Sequence, residues 1–393
     1  MAESITTPRR LNVALIVETS LAPGREIVQG IARYMHEHKA WSIYHEPHSI
    51  EELQDAWLED WEGDGIIARL KHERIAREAE KAIERGIPVV DVLGEVEGAN
   101  VPLVHTDDQA IARMVAEHLM GKGFRHFGYC GMEAISWSQA RGEHFKKRTE
   151  AAGFDCRMQT VLLREDPRWS RQREDEDLEK WIMDLPKPAG VMICSDQRAQ
   201  RVLEACRRLS VAVPEEVAVI SCNNDEPLCQ MCNPPLSSVW SDHSQIGYEA
   251  AGLLDRWMAG QAPPEEPTLL PPRRVVERRS SDTLAIDDEL VAAAARFIRE
   301  FACEGIGVDE IVAHVPASRS VLQRRYRQVM GRTMHEDIVN TRLKRAQQLL
   351  ADTDQPIAQI ARRTGVKHQE YMGTVFRQKL NITPAKYRKQ FMT

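Results

Sequence analysis

Residues 376–388 have the sequence Phe-Arg-Gln-Lys-Leu-Asn-Ile-Thr-Pro-Ala-Lys-Tyr-Arg, and the opening of this stretch has a counterpart fifty residues earlier. At that offset Tyr326-Arg327-Gln328 aligns with Phe376-Arg377-Gln378, and Thr333 aligns with Thr383. Each copy has the apolar spacing of a short helix, a tight turn and a longer helix. The sequence therefore predicts two helix-turn-helix motifs within an all-α region.

The two motifs are predicted over about 308–329 and 357–379, with a long helix over about 335–351 between them. Residues 318–393 carry 16 Lys/Arg against 5 Asp/Glu, although the whole chain has a net charge of −7. A concentrated basic end on an acidic body is typical of a nucleic-acid-binding module attached to another domain. The alternative, that these are ordinary solvated helix faces, is opposed by both the duplication and the local basicity.

In each copy apolar residues bury one face of the second helix and leave a polar face for DNA. Arginine, glutamine and serine side chains there suit base edges and phosphate oxygens. The residues predicted to contact DNA are Ser318, Arg319, Ser320, Gln323, Arg324, Arg327, Lys367, His368, Gln369, Thr374 and Arg377.

The region from about Asp288 to Met392 closely resembles the DNA-binding domain of the AraC family, most specifically in its ending from Gly365 to Arg388. The resemblance implies that two recognition helices of one chain enter successive major grooves, about 34 Å apart. Thr374 stands where an arginine often contacts bases in that family. The second motif is therefore expected to recognise less sequence than the first.

From Leu11 to about Leu269, short β-rich runs alternate with amphipathic helical patterns, which is typical of an α/β fold with parallel sheets. The alternation restarts after Asp107, which predicts two similar lobes facing a cleft. Prolines over 263–272 mark the end of this body. We predict an effector domain over 1–272 in two lobes, a linker over 273–289 and a helical DNA-binding domain over 290–393.

Five stretches of the body resemble the periplasmic-binding-protein-like effector domain of LacI/GalR regulators. They are Gln29–Ile31, Thr106–Asp108, Arg141–Phe145, Ser195-Asp196 and Val213–Ser221. Unlike in LacI-type chains, the first predicted strand begins at Leu11 without a DNA-binding headpiece before it. An effector body of this type joined to an AraC-like end resembles the family of bacterial xylose operon regulators along essentially the whole chain.

The resemblance implies a neutral sugar ligand, which needs groups that bond adjacent hydroxyls and an aromatic face for its C–H surface. It assigns hydroxyl contacts to Asp107 and Arg141, and ring packing to Trp169. The full set of predicted ligand residues is Ser20, Asp107, Arg141, Trp169, Ser195, Asp196 and Asn223. Related sensors usually carry an aspartate where Asn223 stands, so the preferred hydroxyl arrangement is open.

These observations predict a sugar-responsive, DNA-binding transcription regulator that activates pentose, and specifically D-xylose, utilisation genes. The alternatives are the same architecture sensing another small sugar or polyol, or a sugar-binding protein without a DNA function. The predicted partners are an operator in double-stranded DNA, a sugar effector, a second copy of the chain in a homodimer, and RNA polymerase. Repression instead of activation stays open.

No phosphate-binding glycine loop, metal-ligand histidine pair or nucleophile elbow occurs, so we expect neither an enzyme nor a cofactor. Cys229 and Cys232 have the spacing of a redox or metal pair, but no second pair lies at ligand spacing, which favours ordinary buried thiols. The composition, 42% hydrophobic and 28% charged, is that of a globular chain. Without an apolar segment of spanning length or a signal-like start, we expect a cytoplasmic protein without membrane contact.

Overall fold

The computed structural model describes residues 9–389, apart from 39, 46–59, 97, 165, 284, 287, 354 and 367. The chain divides into two compact units, Met1–Leu284 and Ala285–Thr393. We call them the α/β unit and the helical unit and describe each by itself. Their architectures are those predicted from the sequence.

The α/β unit consists of two lobes. Its strands are β1 (Asn12–Ile16), β2 (Ser42–His45), β3 (Gly65–Ala68), β4 (Val89–Asp91), β5 (Val104–Thr106), β6 (His126–Met132), β7 (Cys156–Val161), β8 (Ala189–Ile193), β9 (Val217–Cys222), β10 (Ser237–Trp240), β11 (Thr268–Leu270) and β12 (Arg274–Val276). Its helices are α1 (Ala22–Glu37), α2 (Glu73–Glu84), α3 (Asp108–Gly121), α4 (Ser136–Glu150), α5 (Arg171–Asp184), α6 (Asp196–Arg208), α7 (Glu226–Met231) and α8 (His243–Met258).

Lobe 1 is built on a parallel four-stranded sheet of order β2-β1-β3-β4. Successive side chains of β1 alternate between its faces: Val13 and Leu15 pack with α1 and α8, while Ala14 and Ile16 pack with α2. Because both faces are covered, the strand is apolar from Val13 onward, which is why β1 was recognisable from the sequence.

Glycines permit the close crossing of α1 and α8. A Cβ built on Gly30 would lie 1.8 Å from the Ser244 carbonyl oxygen, and one on Gly247 would lie 2.0 Å from the Ile27 carbonyl oxygen. No side chain fits at either position without separating the two helices. The predicted Gln29-Gly30-Ile31 stretch therefore has a packing role on this helix.

Lobe 2 is built on a six-stranded sheet of order β12-β10-β9-β8-β6-β7, parallel except for the β10–β12 pair. The chain passes between the lobes three times: after β5, after β10, and between β11 and β12. At these crossings the Asp107 amide donates to the Leu270 carbonyl at 2.8 Å, and the Arg273 amide donates to the Trp240 carbonyl at 2.9 Å. Three short neighbouring crossings are the arrangement of a hinge.

The predicted linker over 273–289 begins too early. Arg274–Val276 forms β12, which pairs antiparallel with β10, and the serines at 280 and 281 are fully buried. Most of the charged side chains of this stretch are exposed or form ion pairs, which gave the stretch the composition of a linker. Its backbone nevertheless adds the last strand to the sheet of lobe 2.

The helical unit contains α9 (Glu289–Phe301), α10 (Val308–His314), α11 (Arg319–Met330), α12 (Met334–Asp352), α13 (Ile357–Arg363), α14 (Gln369–Leu380) and α15 (Pro384–Lys389). The pairs α10–α11 and α13–α14 are the two predicted helix-turn-helix motifs. Each second helix ends at a left-handed residue, Gly331 in the first motif and Asn381 in the second.

Helix α12 belongs to two separate cores. Met334 and Ile338 pack with α9, α10 and α11, whereas Leu343 and Leu350 pack with α13 and α14. One apolar residue of α14 lies outside the core that its apolar face was predicted to form: Tyr371 is 48% exposed, while Met372 and Phe376 are buried. Among the described residues, no helix has the length and apolar character needed to cross a membrane.

Candidate functional site

The predicted ligand residues lie mainly at the carboxyl ends of strands that face the cleft between the lobes. Asp107 follows β5 and caps α3, Ser195 and Asp196 follow β8 and begin α6, and Asn223 follows β9. Arg141 reaches the same edge from α4. Ligands of open α/β folds bind at such edges, because the strand ends and helix N-termini bring polar groups together there.

Arg141 joins the start of α3 to the end of β8 at this edge. Its side chain is buried, and its Nε donates to Asp108 Oδ1 at 2.6 Å while its Nη1 donates to the Cys194 carbonyl at 2.9 Å. Burial disfavours the charged guanidinium, but the Asp108 carboxylate outweighs it and raises the pKa of Arg141. The Arg141 guanidinium, a planar cation with several N–H donors, is thus fixed between the ends of β5 and β8.

An aromatic ring that was not predicted lies against this guanidinium. Trp137, in the first turn of α4, has its ring centroid 4.8 Å from Cζ of Arg141. Its indole also lies beside Glu95, whose pKa burial raises to about 7. Trp137 therefore offers an aromatic face beside the arginine that is predicted to bind hydroxyls. Trp169 was expected to supply such a face.

Asp107 and Ser20 occupy different kinds of position. The Asp107 Oδ1 accepts from the Ala110 amide at 2.8 Å, so this oxygen caps α3. Ser20 is exposed in the loop after β1, and its carbonyl accepts from Arg25 at 2.8 Å. Asp107 combines a structural bond with a cleft position, whereas Ser20 lies at the rim.

Asp196 has a more structural environment than the resemblance implies. It is fully buried, and its carboxylate accepts from Ser221 Oγ at 2.5 Å, from Ser238 Oγ at 2.7 Å and from the Asp225 amide at 2.7 Å. Burial raises the pKa of Asp196 to about 6, against these hydrogen bonds, which lower it. The side chain thus fastens β9, β10 and the loop after β9 to the start of α6.

The loop after β9 has an unusual backbone. Asn223 and Asn224 both have positive φ, 101° and 55°. Asparagine tolerates this region better than most residues, and consecutive strained residues commonly occur at functional sites. The backbone N–H of Asn223 donates to the Val239 carbonyl at 3.0 Å. The Asn223 side chain is half-buried and lies at the carboxyl end of β9.

Trp169 lies at the outer edge of lobe 2. Its Nε1 donates to Glu174 Oε2 at 2.8 Å, and Glu174 in turn pairs with Arg198 at 2.8 Å. The ring lines a surface cavity of about 130 Å³ together with Glu133 after β6, uncharged residues at the end of β7, and charged side chains of α5. The structure thus gives Trp169 a fixed orientation.

Lobe 1 contributes ionisable residues that sequence reasoning missed. Glu18 follows β1, Arg69 follows β3 and Asp91 ends β4; Glu18 and Arg69 form an ion pair with little exposure. Burial lowers the pKa of Arg69 to about 10 and that of the nearby His105 to about 4. A charged residue directly after a fully apolar strand run was the available signal for these positions.

Cys229 lies in α7 and Cys232 directly follows this helix; both are buried. Cys229 and Cys232 are free thiols, and burial raises the pKa of Cys232 to about 11 and that of Cys229 still further. Such thiols are protonated at neutral pH and are poor nucleophiles and metal ligands.

In the helical unit, the predicted DNA-contacting residues lie on exposed faces of the two motifs. Lys367 lies outside the described residues. The other ten, all exposed, are Ser318, Arg319, Ser320, Gln323, Arg324, Arg327, His368, Gln369, Thr374 and Arg377. Arg319 also forms an ion pair with Asp309 of α10. The second helices of the two motifs, α11 and α14, thus expose donors to solvent while burying their opposite faces.

Comparisons with known proteins agree with both units. Three family models match: an XylR N-terminal domain over residues 12–109, a periplasmic binding protein-like domain over 116–281, and a helix-turn-helix domain over 311–390. The two effector models together cover both lobes, and the third covers both helix-turn-helix motifs.

Similar proteins extend over nearly the whole chain. The xylose operon regulatory protein of Escherichia coli K12 is 31% identical over 97% of both chains, and that of Haemophilus influenzae is 30% identical over 97% of this chain and 99% of its own. A solved structure described as the xylose-binding transcription activator xylR has a TM-score of 0.79 and 29% identity, covering 98% of this chain and 99% of its own. The predicted fold class is confirmed, and the chain belongs to the family of the bacterial xylose operon regulatory proteins.

Proposed function

We propose that this chain is a transcription activator that binds D-xylose in the cleft of its α/β unit and operator DNA through its helical unit. The observation that carries the proposal is the similarity to the E. coli regulator over 97% of both chains, which includes the cleft and both motifs. A relative matching one unit alone would support either sugar binding or DNA binding, but not their combination.

In the proposed site, Arg141 donates to adjacent sugar hydroxyls from the N–H groups that Asp108, Cys194 and Thr106 leave available. The second oxygen of Asp107 and the side chains of Ser195 and Asn223 bond the remaining hydroxyls. Trp137 and Trp169 are the two candidates for the ring-packing aromatic. Asp196 acts indirectly, by holding the loop of Asn223.

The proposed mechanism is a population shift. The sugar bonds to groups of both lobes only when the hinge is closed, so it stabilises the closed state by its difference in affinity for the two states. In a homodimer, closure then favours the arrangement that spans the operator, and bound protein recruits RNA polymerase. Activity of this kind requires no catalytic residue or cofactor, and it takes place in the cytoplasm, where the chromosome lies.

The first test is a calorimetric titration of the purified protein with D-xylose, beside L-arabinose, D-ribose and D-glucose. We expect selective binding of D-xylose in the micromolar range. Absence of D-xylose binding, with binding of one comparator, would refute xylose as the effector and favour the alternative of a different sugar. That alternative is supported by Asn223, because related sensors usually carry an aspartate at this position.

The second test separates the DNA function from the sugar function. Operator DNA is selected from a random library with the purified protein, and Arg324→Ala is compared with wild type for this DNA and for the sugar. Arg324 is exposed on α11, so we expect at least a tenfold loss of operator affinity and an unchanged sugar affinity. Unchanged operator affinity would contradict the assignment of α11 as a recognition helix.

A further inference from the structure

The segment that leads to the helical unit is attached to lobe 2. After β12 ends at Val276, residues 277–283, which we call the tether, run along the start of β9 and β10. The Ser280 amide donates to the Pro235 carbonyl at 2.9 Å, and its carbonyl accepts from the Val219 amide at 2.8 Å. Ser280, Ser281 and Thr283 of the tether are buried, and Thr283 lies two residues before the helical unit begins.

Serine hydroxyls supply most of the remaining attachment. Ser280 Oγ donates to the Val219 carbonyl at 2.6 Å, and Ser281 Oγ donates to Ser237 Oγ at 2.8 Å. Ser237 Oγ accepts from the Arg278 amide at 2.8 Å and donates to the Arg278 carbonyl at 2.9 Å. Hydroxyls can rotate to new partners, so these bonds allow more than one arrangement of the tether, unlike a regular strand ladder.

Arg278 connects the tether to the loop that carries Asn223. Its Nη1 donates to the Leu236 carbonyl at 2.9 Å, and its Nη2 donates to Asn224 Oδ1 at 2.9 Å and to Glu226. Its side chain is only 8% exposed, whereas that of Glu226 is 55% exposed. One planar guanidinium thus bonds the start of β10, the strained loop and the start of α7 together.

The loop itself is held in place from three sides. The Asn224 amide donates to Ser238 Oγ at 3.0 Å, the Asp225 amide donates to Asp196, and the Asn224 side chain accepts from Arg278. Left-handed backbone at Asn223 and Asn224 persists only when surrounding contacts fix it. A change in the position of Asn223 therefore alters the geometry of the Asn224–Arg278 bond one residue away.

We propose that Arg278 is a positioning residue that couples the loop of Asn223 to the tether, and through it the sugar site to the helical unit. The inference rests on the proposed sugar-responsive function. When a ligand bonds Asn223, the loop shifts, the guanidinium follows Asn224 and Glu226, and the hydroxyl-bonded tether changes its arrangement. Arg278 contacts neither sugar nor DNA, so it affects the communication between the sites rather than either affinity.

The test compares the full-length variants Arg278→Met and Arg274→Met with wild type. Methionine keeps the apolar stem and removes every donor. Arg274 is an exposed arginine on β12, four residues earlier, and is the matched control. Tryptophan fluorescence in urea verifies folding, because all eight tryptophans precede residue 285.

The first measurement needs no ligand. Hydrogen exchange is followed in the peptides that contain residues 222–226 and 277–283. We expect Arg278→Met to accelerate exchange of the loop amides at least tenfold, and Arg274→Met to leave it unchanged. Equal exchange of the loop in wild type and Arg278→Met would overturn the proposal without reference to the sugar.

The second measurement is the ratio of operator affinities with and without D-xylose. Coupling between two binding sites is typically 5- to 150-fold. We expect Arg278→Met to bind D-xylose within about threefold of wild type, to bind DNA without sugar within about threefold, and to lose most of the ratio. If Arg278→Met retains the wild-type ratio of operator affinities, the role of Arg278 is overturned. If the ratio is one in wild type, D-xylose does not affect operator binding and the proposed function is overturned as well. The exchange result then shows whether the loop–tether connection exists.

Discussion

The α/β unit and the helical unit build their candidate sites in opposite ways. In the α/β unit the predicted ligand residues Arg141 and Asp196 are buried and bonded to protein groups, and Ser195 is buried, whereas every described residue predicted to contact DNA is exposed. A buried ionisable site must be stabilised by its own partners, so its residues contribute to folding as well as to binding. An exposed basic face contributes mainly to affinity and to its dependence on salt.

The largest expected effect of this difference is at Arg141. We expect Arg141→Met to destabilise the α/β unit by about 3–5 kcal/mol, because it leaves the Asp108 carboxylate without its partner inside the cleft. The measurement is urea unfolding followed by tryptophan fluorescence, which reports on this unit alone. The exposed Arg324→Met is the matched control, with an expected change below about 0.5 kcal/mol. Equal costs for the two substitutions would contradict the contrast between the units.

Asp196 gives the second effect, a dependence of stability on pH. Its folded pKa of about 6 is raised above the ordinary value of 3.8, so the folded state holds the proton more tightly, and stability is lost as pH rises from about 4 to about 6. We expect this loss, up to about 3 kcal/mol, to be absent from Asp196→Asn.

The comparison for Asp196 is made by urea unfolding between pH 4 and 7. Asp184→Asn, an exposed position near the end of α5, is the control and is expected to follow wild type. Other buried groups also titrate in this range, so the informative quantity is the difference between each variant and wild type. A difference for Asp196→Asn that does not change with pH would show that this carboxyl is not the one that titrates.

The sequence predicted the two units to different depths. The two helix-turn-helix motifs were predicted to begin at residues 308 and 357, where α10 and α13 begin, since duplication and 3.6-residue periodicity are local signals. Buried strands such as β3 and β9 belong to the β-rich runs predicted between Leu11 and about Leu269. Short strands such as β12 were missed. Three residues are too few to show an alternating pattern, and β12 forms only because it pairs with β10 at the edge of the sheet.

The candidate site was predicted less completely than the fold. Its location at strand ends followed from topology, but the partners that define each role are distant in sequence: Asp196 with Ser221 and Ser238, and Arg278 with Asn224. Trp137 was missed for the same reason; the positions of Glu18 and Arg69 had a local signal, but their pairing with each other did not. Burial and pairing of polar groups are tertiary facts that residue spacing does not encode.

Asn223 gives a third, smaller effect, on sugar preference. Asn223→Asp keeps the left-handed backbone accessible, because aspartate tolerates it almost as well, and replaces a mixed donor–acceptor with a pure acceptor. We expect D-xylose affinity to rise up to about tenfold relative to L-arabinose, since a carboxylate accepts from two hydroxyls. Calorimetry with both sugars measures the ratio, and an unchanged ratio would place the Asn223 side chain outside the sugar contacts.

The smallest effect distinguishes the sites by their response to salt. Each phosphate contact releases counterions, so the logarithm of operator affinity falls with the logarithm of salt concentration by about 0.9 per contact. We expect Arg377→Ala, on the exposed face of α14, to reduce this slope by about 1, and Arg345→Ala, exposed on α12 between the motifs, to leave it unchanged. Binding of an uncharged sugar in the cleft is expected to vary little over the same range, because its partners are fixed and shielded from solvent. Two results would contradict this difference in salt dependence between the exposed DNA-binding face and the buried sugar site. One is a steep salt dependence of sugar binding, and the other is an operator-binding slope that Arg377→Ala does not change.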